Sequence, residues 1–199
     1  MKHSMKKKKR IQKYDMLSQT GKIDLYFFDE SGFSVKSNIP YGWSPIKETM
    51  VIKSLATKRF NILGFINKQG DLKHYLKETS VKTADVIEVF DSFSQQLTKP
   101  TVVVLDNASF HKSKAFKEHI ATWSNRGLTL LYLPPYSPQL NIIEMLWRFI
   151  KYHWMEMSAY GSYAAMKSFV LKTLDEYGSK RKIDFSLFQV KKYLPVVCV

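Results

Sequence analysis

The sequence is poorest in the residues that would tie it together covalently or hold it in a membrane. Cys198 is the only cysteine among 199 residues, which excludes an intramolecular disulfide and any zinc site built on several thiolates. No apolar run approaches the roughly 18 residues needed to span a bilayer, and the charged stretch from Met1 to Arg10 lacks the apolar segment that follows in a signal peptide. Internal repeats, a Gly-rich phosphate loop and an HExxH helix are also missing. The expectation is a soluble cytoplasmic protein, nucleoid-associated if bacterial, with no membrane partner. Acidic side chains are scarce as well: 17 Asp+Glu stand against 31 Lys+Arg, a formal net charge of +14. A surplus of that size points to a polyanionic partner, most often nucleic acid.

What remains suits one domain with a sizeable core, since 45% of the residues are hydrophobic and 14% aromatic. Residues 1–20 are polar, carry the run Lys6 to Arg10, and read as a basic, flexible segment or a nucleic-acid arm. Residues 21–199 read as the folded domain. Ile23 to Glu30 is aromatic-rich and of strand length, with Ser31-Gly32 as its stop and Phe33 to Lys36 as a short strand pairing back. Arg59 to Ile66, the turn Asn67 to Gly70 and Asp71 to Lys77 form a hairpin. The pattern then alternates. Helices are expected over Thr83 to Leu97, Ser113 to Ser124 and Tyr163 to Tyr177, and buried strands over Thr101 to Leu105 and Leu128 to Leu133. The last segment, to Val199, is expected to pack back onto the core.

Three acids occupy special places in this pattern. Asp29 lies near the end of the first strand and Asp106 directly follows Leu105. Glu144 comes just after Pro134, Pro135 and Pro138, which keep the backbone out of a helix until Asn141 can act as its N-cap. Taken alone, Glu144 reads as part of an Asn-x-x-Glu capping box, or as a partner for Arg148 at i+4. Taken together, carboxylates at the ends of strands and the start of a helix can converge. Converging carboxylates without a His or Cys cluster suit hard cations such as Mg²⁺ or Mn²⁺. Two such ions can support in-line phosphoryl transfer.

The blocks Phe28-Asp29-Glu30-Ser-Gly-Phe33, Val104-Leu-Asp106-Asn107 followed by His111, and Leu133-Pro-Pro-Tyr-Ser-Pro-Gln-Leu-Asn141 with Glu144 and Trp147 resemble the three signatures of the mariner-type superfamily of DDE transposases. The likeness is greatest to its bacterial insertion-sequence branch and covers roughly residues 23–151. The resemblance implies an α/β, RNase H-like mixed sheet, with three antiparallel strands followed by alternating helices and strands. It implies that Asp29, Asp106 and Glu144 are the catalytic, metal-binding triad for two Mg²⁺ or Mn²⁺ ions. It also implies DNA partners, transposon ends and target alike: water attacks the element's ends, and the 3′-OH then attacks target DNA, usually at TA. A homodimer is the expected active complex.

Ile142 departs from the family's usual proline, a change tolerated in a first helical turn. Family members also carry helix-turn-helix domains before the catalytic domain, whereas about twenty polar residues precede the first strand here. The expectation is half of a split transposase, or a truncated copy, whose ends are recognised by another polypeptide. An RNase H-like nuclease or resolvase without strand transfer, and an inactive basic DNA-binding remnant, stay open.

Glu30 points away from Asp29 and is expected beside the site or on the surface. Asn107 and His111 can orient metal water or touch phosphate, or can be a turn former and a helix-start residue. Arg148 and Lys151 are candidates for phosphate contacts. Trp43, in a Pro/Gly loop, can stack on a base or pack in the core. Trp147 and Trp154 repeat on the buried helical face and read as core.

Overall fold

The computed structural model describes residues 2–35, 58–135 and 137–185. A five-stranded mixed sheet in the order β3-β2-β1-β4-β5 forms its centre. The strands are β1 (Asp24–Ser34), β2 (Arg59–Asn67), β3 (Leu72–Lys77), β4 (Thr101–Leu105) and β5 (Leu128–Tyr132). β1 pairs antiparallel with β2 and parallel with β4, while β2 with β3 is antiparallel and β4 with β5 parallel. The helices are α1 (Lys2–Gln19), α2 (Thr83–Gln95), α3 (Lys114–Asn125), α4 (Ile142–Phe149) and α5 (Tyr163–Asp175). This is the mixed α/β, RNase H-like architecture expected from the sequence.

Each face of the sheet buries its own cluster, as the two-residue alternation of a strand requires. Leu25, Phe27, Val102 and Val104 point to one side, where Ile143, Leu146 and Trp147 of α4 and Met166 and Val170 of α5 cover them. Tyr26, Phe28, Val103 and Leu105 point to the other, against Val86, Phe90 and Phe93 of α2 and Phe116 and Trp123 of α3. Ser113 caps α3, its Oγ accepting from the Phe116 amide at 3.2 Å. Gly127, at φ 89°, turns the chain from α3 into β5, a backbone shape that an L side chain strains.

Several sequence expectations need correction. Ser31-Gly32 does not end the first strand, and Phe33 does not begin another. β1 continues to Ser34 because β2 pairs with it along its whole upper length, to Ser34 opposite Arg59, and Phe33 stacks on Phe60 at 5.5 Å. The basic N-terminal residues are helical rather than a solvated tail, because Ile11 and Tyr14 of α1 pack against the core. α2 is capped at Lys82, not Thr83. The helix after Asn141 is not uniform: α4 passes into a π-helical turn over Ile150–Trp154. Ile183 and Phe185 do join the core, as expected for the last segment, while residues 186–199, Cys198 with them, lie outside the described residues. So does Trp43. No helix among the described residues is long and apolar enough to cross a membrane.

Candidate active site

The placement of Asp29 and Asp106 follows from strand register. β1 and β4 pair in parallel as far as Phe27 opposite Val104. Asp29 comes two residues further along β1, and Asp106 comes directly after the end of β4. Both lie at the carboxyl end of the parallel pair, where an α/β sheet places ligand-binding groups.

Glu144 reaches that edge because the neighbouring strand has no side chain in the way. Gly64 of β2 lies opposite Asp29. A Cβ on Gly64 would meet Ile143 Cδ1 at 2.9 Å and Trp147 Cη2 at 3.1 Å, so α4 approaches the sheet more closely than any other residue at 64 allows. Asn141 supplies the second constraint. Its Nδ2 donates to the Phe28 carbonyl at 3.0 Å, pinning the start of α4 one residue before Asp29. Asn141 occupies the N-cap position, but its side chain makes no cap hydrogen bond. The side-chain capping expected of it is replaced by this cross-link to β1.

The three acids act on one another electrostatically. Burial raises the Asp29 carboxyl well above the usual range, and Glu30, Glu144 and Asp106 push it further up. Burial and then Asp106 raise Glu144, with Arg148 opposing. Asp106 is held below the usual range, first by His111. His111 Nδ1 lies 2.9 Å from Asp106 Oδ1, which also accepts from the Ala108 amide at 2.9 Å. An ionised carboxylate only accepts, so the Nδ1–H donates. His111 itself is buried among the rings of Phe28, Phe110 and Phe116.

Glu30 lies behind this pair on the opposite face of β1. Burial raises its carboxyl while His111 lowers it. Glu30 Oε2 and His111 Nε2 are both buried without a hydrogen-bond partner. Asn107 turns to the fold, its Nδ2 donating to the Leu133 carbonyl at 2.7 Å and so tying the end of β4 to the end of β5.

One cation accompanies each acid. Arg148 is exposed one turn beyond Glu144 and lowers its carboxyl. Lys151 projects from the π-helical turn over the Phe33 ring, 5.1 Å from its centroid. Burial depresses the Lys151 ammonium, and Asp29 counters that depression. Lys112, exposed beside His111, helps hold Asp106 down. Lys112 and Gly64 escaped the sequence reading. A glycine interrupting the apolar run Arg59 to Asn67 was the available signal for Gly64, whereas nothing distinguished Lys112 from other surface lysines. Trp147 and Trp154 sit in or against the core as expected, with Arg181 over the Trp154 ring at 5.5 Å.

The sequence pattern of the DDE superfamily endonucleases matches residues 24–167, a span that contains all three acids. The chain belongs to that family. Its fold is similar to that of the Mos1 mariner paired-end complex with Mn, at 16% identity and a TM-score of 0.62, over 85% of this chain and 52% of that one. It is also similar to the Mos1 strand transfer complex (14% identity, TM-score 0.56, 87% and 54% of the two chains) and to the isolated Mos1 catalytic domain (13%, 0.55, 87% and 79%). These identities show a shared fold. An uncharacterized protein of Sinorhizobium fredii, y4pE/y4sA, is 32% identical over 62 residues, 31% of this chain and 42% of that protein. The chain thus spans about half the length of the Mos1 chains in the paired-end and strand transfer complexes and less of the Sinorhizobium fredii relative.

Whether the acids suit a metal can be judged from their chemistry. Among the described residues no three His, Cys, Asp or Glu side chains are gathered closely enough to hold an ion. Asp29, Asp106 and Glu144 nevertheless offer only oxygen donors, the type Mg²⁺ and Mn²⁺ prefer. Burial first, and then repulsion from neighbouring carboxylates, raise Asp29 and Glu144, and a divalent cation would neutralise that negative charge. The fit is one of donor type and charge.

Proposed function

We propose that the chain is the catalytic domain of a DNA transposase in the bacterial insertion-sequence branch of the mariner-type enzymes. It cuts DNA at the element's ends and transfers the 3′-OH into target DNA, at TA dinucleotides. The reading is supported by the placement of Asp29 near the carboxyl end of the β1–β4 pair, Asp106 directly after β4 and Glu144 in the first turn of α4, in a chain of the DDE superfamily endonucleases. The three carboxylates are assigned to two Mg²⁺ or Mn²⁺ ions. When bound, these ions activate an attacking oxygen and stabilise a leaving one.

The other residues hold the substrate and the acids. Arg148, Lys151 and Lys112 are placed to contact phosphate without reading sequence. Asn141 fixes the start of α4, and His111, backed by Glu30, fixes Asp106. The Mos1 chains extend well beyond the shared part and are described in paired-end complexes with Mn and with Mg. By analogy, a helix-turn-helix domain or polypeptide supplies end recognition, and the active complex is a homodimer.

The test uses purified protein, with and without a supplied end-binding domain, and labelled DNA carrying element ends. Nicking that requires Mg²⁺ or Mn²⁺, and joining of a pre-cut 3′ end to target DNA, are expected. Nicking without joining would instead establish an RNase H-like nuclease or resolvase. Neither activity, even with the end-binding domain present, would leave a basic DNA-binding remnant and overturn the reading.

A further inference from the structure

Helix α1 is strongly basic, yet it is fastened to the domain at both ends. Near its start, Lys7 Nζ donates to the Leu133 carbonyl at 3.1 Å. That same carbonyl accepts from Asn107, the residue after Asp106. Near its end, Asp15 Oδ2 accepts from Lys68 Nζ at 2.7 Å, in the turn between β2 and β3. Between these anchors Ile11 and Tyr14 pack against the cluster on the face that α4 and α5 cover. α1 therefore crosses the face of the sheet to which Asp29 points. Its N-terminal half lies at the edge where Asp106 sits.

The helical repeat separates two sides of α1. Lys7, Ile11 and Tyr14 recur at i, i+4 and i+7 toward the core, and Lys9, Arg10 and Lys13 fall together on the other side. All three of the latter are exposed. None of them takes part in an ion pair among the described residues. Lys9 and Lys13 are separated by about 6 Å of helix axis, close to two nucleotide steps of about 3.4 Å along one DNA strand. With Ile11 and Tyr14 committed to the core, the outer side offers a partner mainly charge, with Met16 its one large exposed apolar side chain among the described residues.

We infer that the outer face of α1 is a docking surface for the DNA phosphate backbone, leading a strand toward the edge that bears Asp106. The direction of the strand rests on the proposed function, whereas the binding surface itself does not. The contacts are sequence-independent and supply affinity, with no part in the chemistry.

The test is DNA binding by the full chain in EDTA, read by fluorescence anisotropy with a short random-sequence duplex between about 50 and about 200 mM salt. Circular dichroism verifies that each variant is folded. Lys9→Gln/Arg10→Gln/Lys13→Gln is compared with Lys114→Gln/Lys117→Gln, which removes exposed charge from α3 on the other face. Loss of three phosphate contacts lowers the slope of log K against log salt by roughly 2 to 3, while the α3 variant keeps the wild-type slope. An unchanged slope in the α1 variant, or an equal fall in both, would overturn the proposal. Because binding is read without metal, failure of the wild type to nick DNA would count against the proposed function and leave this result standing.

Discussion

The two faces of the sheet treat their acids in opposite ways. On the face covered by α2 and α3, Asp91 Oδ1 accepts from Trp123 Nε1 and from Arg126 Nη1, each at 2.9 Å, and Arg126 also reaches Ser94 Oγ at 2.9 Å. The Trp123 hydrogen bond, with Arg126 behind it, holds the Asp91 carboxyl below its ordinary range. On the face covered by α4, Asp29 and Glu144 meet burial and other carboxylates instead, and both are raised. An acid kept for the fold is met by donors. Asp29 and Glu144, which the proposed function assigns to chemistry, are left with charge to neutralise, at a cost in stability that the rest of the core offsets.

The largest effect should come from removing one acid of the proposed triad. Asp106→Asn is expected to reduce metal-dependent nicking to background, whereas Asp91→Asn, on the other face, retains it; equal activity in the two variants would erase the contrast. Gly64→Val comes next. Its side chain must displace Ile143 and Trp147, costing about 1–3 kcal/mol of stability and moving Glu144 away from Asp29. Nicking should fall at temperatures where circular dichroism still shows a folded protein.

A smaller effect is expected for Asp91→Ala, which deprives Trp123 and Arg126 of their acceptor. Urea unfolding should record a loss of about 1 kcal/mol, with nicking unchanged well below the midpoint. The smallest change has the opposite sign. Asp29→Asn removes a carboxylate whose folded-state pKa is raised, so the folded wild type binds protons more readily than the unfolded chain, and ionisation of Asp29 destabilises it. In EDTA near neutral pH the variant should melt a few degrees higher. That advantage should shrink as the pH falls through the raised pKa. Mg²⁺ or Mn²⁺ should raise the melting temperature of the wild type and not of the variant; a variant that melts lower at every pH would contradict the repulsion.

The order of strands and helices was legible because apolar periodicity and Pro/Gly punctuation report burial directly. The places of Asp106 and Glu144 in the fold were legible because each interrupts such a pattern: Asp106 ends the run Thr101 to Leu105, and Glu144 follows the proline turn. β1 was misread at Ser31-Gly32 because local turn chemistry was overridden by pairing with β2, which no local window reveals. For the same reason α1 looked like a tail: its helix is held by Leu133 and Lys68, far away in sequence. Asn141 was recognisable as the start of a helix, but its bond to the Phe28 carbonyl depends on how α4 is laid across β1.

The separation of the acids along the chain has a consequence for synthesis. β1, β2 and β3 pair in sequence order and can assemble early, whereas α4 is made only after β5. A ribosome-bound chain thus displays Asp29 long before it owns Glu144. Under the proposed function, a chain lacks its third acid until α4 is made and settles over Gly64, so chains that stop before α4 cannot cut DNA.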